Sequence, residues 1–189
     1  GMMSIITGGL GGINQTQLRK LMAYSSLTNI GWTMVIFPAF PHTAVLNIII
    51  YMLMLIPTFF IMETMMLKSL QDMTTTWTTS TMTSMLLTLL LLSLSGLPPL
   101  TGFMPKLLIL DKLTMQNLTP LATSVAIFSL INLFFYMRMT YIMTMTTPPT
   151  LNLVSTKWRH KPHHNKLLST LTTMSLVSIP LLPTMVATI

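Results

Sequence analysis

From Thr43 to Leu67 the chain carries one charged side chain, Glu63, near the end of the run. A helix of that length crosses the roughly 30 Å hydrocarbon core of a bilayer at 1.5 Å per residue. Lipid offers no hydrogen-bond partners, so the backbone of such a run must pair with itself, and a helix is the local way to do that. Comparable runs predict spans over 17–37, closed by Pro38 and Pro41, and over 80–96, which contains MLLTLLLLSL. Further spans are predicted over 101–115, 119–145 and 167–188. Residues 1–10 read as a helix end closed by the glycines at 8, 9, 11 and 12. The expected fold class is all-α: a polytopic transmembrane helix bundle forming one domain over residues 1–189.

Charge supports that class. Charged residues make up 7% of the 189, where a soluble domain is nearer a quarter. No large water-facing domain is left over. The first residues, GMMSIITGGLGG, lack the basic start and cleavage site of a signal peptide. The chain is therefore expected to be the C-terminal part of a longer protein. Prolines within the apolar runs (Pro57, Pro120, Pro180 and Pro183) predict kinks packed against neighbouring helices. A bias toward Met, 20 in all, and toward Thr resembles chains encoded in animal mitochondrial genomes.

The formal net charge is +7. Outside the loop KWRHKPHHNK its basic residues are scattered, which argues against a nucleic-acid surface. There is no cysteine, which excludes disulfides and thiolate metal sites. The histidines 160, 163 and 164 are irregularly spaced with no carboxylate beside them, a poor metal set. No nucleophile–base pair, phosphate loop or zinc motif is present, and NQT at Asn14 sits too close to a membrane helix for glycosylation. Lys157, Arg159, Lys161 and Lys166 should face the negative compartment. Counting crossings back from them puts Arg19 and Lys20 on the opposite side, against the same rule. The conflict is expected to resolve through a re-entrant excursion of the two short spans over 80–96 and 101–115, or through burial of Arg19 and Lys20 in protein.

One short stretch, GLPPLTGFMPKLLIL over 96–110, breaks the apolar pattern with glycines, prolines and Lys106. Three readings of Lys106 stand side by side: a snorkelling anchor, a structural ion pair, or a titrating proton carrier. A broken helix beside a lysine builds a polar site at membrane depth, and desolvation eases proton release from an amine. Asp111 lies about 140° around the helix from Lys106 and Lys112 about 120° the other way, so neither shares its face. A counter-charge must come from another helix. Asp111 and Lys112 read as a solvated helix end. Arg19 and Lys20 read as interfacial anchors, with Tyr24, Ser25 and Ser26 within a turn or two as hydrogen-bonding side chains. Arg138, Tyr136 and Tyr141 read as an interfacial belt. Glu63 and Lys68 read as interfacial, and His42 as a loop residue.

The segments GGINQTQLRKLMAYSSLTNIGW and SLSGLPPLTGFMPK, with LINLFFYMRMTY, resemble the mammalian mitochondrial NADH dehydrogenase subunit 2 family, antiporter-like membrane subunits of respiratory complex I. The resemblance covers the whole chain. It implies an antiporter-like fold of two inverted five-helix repeats, with this chain holding the second repeat and the last helix. It implies proton translocation with Lys106, on a discontinuous helix, as the proton carrier. Arg19, Lys20, Tyr24, Asp111 and Lys112 remain secondary polar candidates. Asn29 stands where the family motif usually has His, so no proton role carries over to it. The implied setting is the mitochondrial inner membrane. The implied partners are other membrane-arm subunits, neighbouring antiporter-like subunits among them, and lipids such as cardiolipin. The chain itself would carry no cofactor and no metal; flavin, iron–sulfur clusters and quinone would belong to partner subunits. A cation/proton antiporter subunit of related fold is the alternative.

Overall fold

In a computed structural model of the chain, the structure describes residues 1–146 and 166–177. Their regular structure is helical: α1 (Met2–Ile13), α2 (Leu18–Ile36), α3 (Pro41–Thr64), α4 (Thr76–Thr79), α5 (Thr81–Ser95), α6 (Phe103–Met115), α7 (Thr119–Met145) and α8 (Lys166–Val177). A short 3-10 turn, Asp72–Thr75, leads into α4. α3 and α7 are each long and apolar enough to cross a membrane, by length and composition. The basic loop residues Lys157, Arg159 and Lys161, the three clustered histidines, Pro180 and Pro183 lie outside the described residues.

The glycines of the first helix do not end it. α1 runs through all four, and they face its neighbours. A Cβ on Gly8 would lie 2.6 Å from Thr28 Cγ2 and 2.8 Å from the Tyr24 carbonyl oxygen; one on Gly11 would collide with the Tyr24 ring. On α7, Phe135 lies 3.0 Å from a Cβ at Gly12 and Ile131 lies 3.3 Å from one at Gly9. Small residues let helix backbones approach where lipid supplies no hydrophobic drive for association. Pro120 also departs from expectation. It occupies the first turn of α7, where its missing N–H is harmless, whereas Pro57 is buried inside α3.

The bundle is apolar outside, and polar groups are buried within its largely apolar interior. Ile49, Ile127 and Leu130 are exposed while Ser25, Thr28, Asn47, Thr58 and Asn132 are buried. Most buried hydroxyls bond a carbonyl one turn back on their own helix, as Ser25 does to Met22 (2.7 Å) and Thr58 to Leu55 (2.7 Å). That pairing explains how so many threonines are tolerated.

The two ends of the bundle can be told apart by their contacts. At one, the near end, the Leu18 amide donates to the Lys68 carbonyl (3.1 Å) and the Leu70 amide to the Thr16 carbonyl (3.0 Å). Thr146, just past α7, lines a surface cavity there with Thr16, Gln71 and Thr74. Ser80, at the start of α5, bonds Met65 Sδ at 3.6 Å. At the far end, Lys112 near the close of α6 lies 5.3 Å from the centre of the Phe40 ring. There Trp32, Ile36, Ala44, Leu113, Ala122 and Val125 pack together. α5 therefore starts at the near end and α6 finishes at the far end. Their 15 and 13 residues span about 22 and about 20 Å. Each is too short to cross alone; together they make one crossing.

That corrects the expected topology. Two half-helices count once, so the chain leaves α7 at the same end as Arg19 and Lys20, which are exposed rather than buried. Neither a re-entrant excursion nor burial of the two basic residues is needed. The chain has no cysteine, so single cysteines at Gln71, Thr146 and Pro38 give a clean labelling test. Gln71→Cys and Thr146→Cys should react with an impermeant thiol reagent from one side of the membrane, and Pro38→Cys from the other. Labelling of Thr146→Cys together with Pro38→Cys would restore two separate crossings.

The near-end loop is fixed by Asp72. Its Oδ2 accepts from the Ser69 amide at 2.7 Å and the Lys68 amide at 2.9 Å. The Ser69 bond first and the Lys68 bond second hold its carboxyl below the ordinary carboxylate pKa. Because the folded value is the lower one, the contribution is present above the unfolded pKa and is lost as pH falls through the folded one. Amide exchange at Ser69 should therefore rise on acidification below about pH 4. In Asp72→Asn it should be fast and nearly independent of pH, once the intrinsic exchange rate is divided out.

Candidate functional site

α5 stops at Gly96, whose left-handed φ of 82° turns the chain out of the helix. Pro98 and Pro99 follow, and neither has an N–H to satisfy. Gly102 then sits directly on the Ser93 carbonyl, where a Cβ would collide with the oxygen. Thr101 Oγ1, one residue earlier, bonds Met54 Sδ of α3 at 3.1 Å. α6 starts at Phe103, which places Lys106 one turn in.

Lys106 reaches back over the break. Its Nζ donates to the carbonyl of Ser95, the last residue of α5, at 2.8 Å. The stem runs over Gly96, where a Cβ would lie 2.7 Å from Nζ and 3.0 Å from Cδ. The final carbonyls of a helix have no intrahelical donor and carry the negative end of its dipole. An ammonium there satisfies an orphan acceptor and meets a favourable field. Among the described residues no carboxylate pairs with it.

The level of Lys106 is special. The packed apolar side chains form two clusters. One, toward the near end, includes Leu21, Met22, Ile50, Met54, Phe135 and Met139. The other lies at the far end, with Ile109 and Leu113 of α6 within it. At the inner side of the near-end cluster, with Tyr136 within it and Tyr51 packed against it, α2, α3 and α7 present polar groups. Ser25, Tyr51 and Tyr136, from α2, α3 and α7, lie side by side. One turn toward the far end from each of them are Asn29, Asn47 and Asn132. Asn47 Nδ2 donates to Asn29 Oδ1 at 3.3 Å. Lys106 lies between Thr101, which touches Met54, and Ile109, which packs with Ala44. That places it between the near-end and far-end parts of the bundle.

The other sequence candidates fall elsewhere. Arg19 and Lys20 are exposed at the near end. Arg19, Glu63 and Lys68 line a cavity of about 340 Å³ there, away from Lys106. Tyr24 is half-buried against α1, and Ser26 bonds the Ala23 carbonyl (2.8 Å). Asp111 is exposed, and Lys112 rests on the Phe40 ring at the far end. Tyr136 does not belong to an interfacial belt: it is 1% exposed, and its ring centre lies 4.7 Å from that of Phe135 in a tilted contact. Arg138 lines the near-end surface cavity and donates to the Ile13 carbonyl at 2.7 Å, and Tyr141 is exposed. Sequence reasoning missed Asn47, Tyr51, Asn132 and the Ser95 carbonyl. The signal was there for two of them, single asparagines inside the apolar runs AVLNIII and SLINLFF.

A membrane bundle with one crossing split into half-helices, and a lysine bonded to the break, defines a class of helical transport proteins. Residues 1–132 match the family model of the NADH:quinone oxidoreductase/Mrp antiporter transmembrane family, and 133–186 match that of the NADH dehydrogenase subunit 2 C-terminus. The chain belongs to the NADH:quinone oxidoreductase/Mrp antiporter family. Among similar proteins are the NADH-ubiquinone oxidoreductase chain 2 of Latimeria chalumnae, 46% identical over 99% of this chain and 54% of that protein, and of Varanus nebulosus, 49% identical over 97% and 52%. That of Xenopus laevis is 43% identical over 97% and 53%. The chain thus spans about half the length of the curated relatives it matches. The fold is shared with a chain in the structure of respiratory complex I from Thermus thermophilus with bound aureothin (TM-score 0.68, 16% identity, 95% of this chain and 43% of that one).

The geometry of the break rests on Gly96. Gly96→Ala should cost about 1–2 kcal/mol from left-handed strain alone, and its methyl group would displace the ammonium. A lowered thermal melting point of the detergent-solubilised protein is the expected readout; an unchanged melting curve contradicts this account.

Proposed function

We propose that this chain is part of a proton-translocating membrane-arm subunit of NADH:ubiquinone oxidoreductase, and that Lys106 is the group that takes up and releases the proton. The observation that carries this reading is the Lys106 ammonium bonded to the open carbonyl end of a half-helix. A protonated lysine is stabilised there by the Ser95 carbonyl and the α5 dipole. With no carboxylate among the described residues bound to it, its proton affinity responds to any charge brought close or withdrawn. That is how electron transfer in partner subunits would drive proton movement here. The acting charges are expected in the half of the relatives' length that this chain does not span. Flavin, iron–sulfur clusters and quinone are assigned to partner subunits, and this chain contributes the proton path.

The membrane is taken to be the mitochondrial inner membrane, on the strength of the animal relatives. Arg19, Lys20 and Lys68 sit at the near end, against Lys112 at the far end. The excess of basic residues orients the near end to the matrix.

The family description also includes Mrp antiporters, so cation/proton antiport is the second reading. The two part on sodium: exchange that requires sodium and proceeds without quinone reduction favours antiport. The direct test is Lys106→Met in the full-length subunit, within the assembled complex. Proton translocation coupled to NADH oxidation should fall by about tenfold or more, with the amount of assembled complex unchanged. Normal pumping by that variant overturns the reading.

A further inference from the structure

Away from Lys106, the near-end cavity of about 340 Å³ brings together three charged side chains that no ion pair among the described residues uses. Arg19 stands in the first turn of α2, Glu63 in the last turn of α3, and Lys68 just beyond it. All three are exposed. The Leu18 amide, bonded to the Lys68 carbonyl at 3.1 Å, fixes the backbones that carry the two cations against each other. The Asp72 carboxylate is held by two backbone amides and does not line the cavity. The wall beside the charges is apolar, with Phe59, Met62 and Met66 in it.

Two features tie the cavity to lipid. Ile49, Met52, Ile56 and Phe59 are exposed and follow one another at steps of three and four residues, so they form one outward stripe of α3. Glu63 is the next step and closes the stripe with a carboxylate. From Ile49 to Phe59 the stripe is about 15 Å long, half the hydrocarbon core of a bilayer. The second feature is Met66. It ends the helix in the left-handed conformation, φ 55°, at a place that favours glycine. Its amide bonds the Glu63 carbonyl at 3.0 Å, and the Leu67 amide bonds the Met62 carbonyl at 3.0 Å. The turn thus holds a strained methionine, 78% exposed, on the cavity wall. Backbone strain of this kind gathers at sites that bind.

We infer that this cavity seats the head group of a phospholipid of the ethanolamine class, with its phosphate on Arg19 and Lys68, its ammonium on Glu63 and one acyl chain along the α3 stripe. The charges sort the candidates. Guanidinium and ammonium donors suit a phosphate. A carboxylate beside them suits a cation with N–H donors, which an ethanolamine has and a choline lacks. Cardiolipin, one lipid the family resemblance implies, has two phosphates and no ammonium, so it would set an anion against Glu63. The inference does not depend on the role proposed for Lys106.

The test uses the assembled complex with the full-length subunit, freed of most lipid by mild detergent and given phosphatidylethanolamine with a photoreactive group on one acyl chain. Cross-links should map to α3 between Ile49 and Met66. Unlabelled phosphatidylethanolamine should displace the probe at about one fifth of the concentration that phosphatidylcholine or cardiolipin needs. Free phosphoethanolamine, with no chains, should displace little. In Glu63→Gln the advantage over phosphatidylcholine should disappear. With Arg19→Ala and Lys68→Ala combined, both lipids should be held about fivefold more weakly. Equal displacement by phosphatidylcholine, stronger displacement by cardiolipin, full displacement by free phosphoethanolamine, or an unchanged preference in Glu63→Gln overturns the inference. So do cross-links confined to other helices, which would mean that a protein neighbour covers this face. Where a variant does not assemble, the competition on the wild-type complex decides.

Discussion

The hydrogen bond from Lys106 to the Ser95 carbonyl holds together two features that would each be unfavourable alone. A lysine one turn into an apolar helix needs an acceptor where water is scarce. A helix that stops inside a bundle leaves carbonyls that need donors. The sequence supplies both within eleven residues, and each satisfies the other. The residues between are chosen by the same constraint. Gly96 adopts the left-handed turn, the two prolines ask for no hydrogen bond, and Gly102 lets the chain lie flat against the Ser93 carbonyl.

Around that bond the bundle sorts its polar groups by how far they can reach. Serine and threonine hydroxyls are short and bond their own helix, so they add little to the contacts between helices. Asparagine, tyrosine and lysine extend beyond their own backbone and must find partners on other helices. Ser25, Tyr51 and Tyr136 meet at the inner side of the near-end cluster, and Asn29 and Asn47 pair one turn farther on. These meetings are thus what remains when every group able to satisfy itself locally has done so.

Much of this was legible in the sequence. The apolar runs set α2, α3, α5 and α7 to within three residues at each end, because lipid leaves a backbone no alternative to helix. The break over 96–102 and the place of Lys106 were equally plain, since glycine and proline act locally. What depended on neighbouring helices was not legible. The glycines of α1 look the same in a sequence whether they end a helix or let another approach. Tyr136 looks interfacial beside Arg138, until the face of α7 that carries it proves to be the inner one. Counting crossings failed for a related reason. Length alone does not say whether two short helices cross twice or share one crossing, and that rests on contacts at both ends, such as Lys112 on Phe40.

The break also bears on which ion the site suits. Where α5 and α6 meet, the bundle presents a carbonyl end that favours a cation and an amide end that favours an anion. Pro105 removes one amide from the first turn of α6, which weakens the second. The first is filled by the Lys106 ammonium, a cation that belongs to the protein. A free metal cation would have to displace that ammonium or bind next to it, and like charges a few ångströms apart oppose each other. A proton meets no such competition, because the amine is its own binding site. The same carbonyl end that makes the break hospitable to positive charge therefore fits the proposed proton role better than metal-ion transport, as long as lysine stands at position 106.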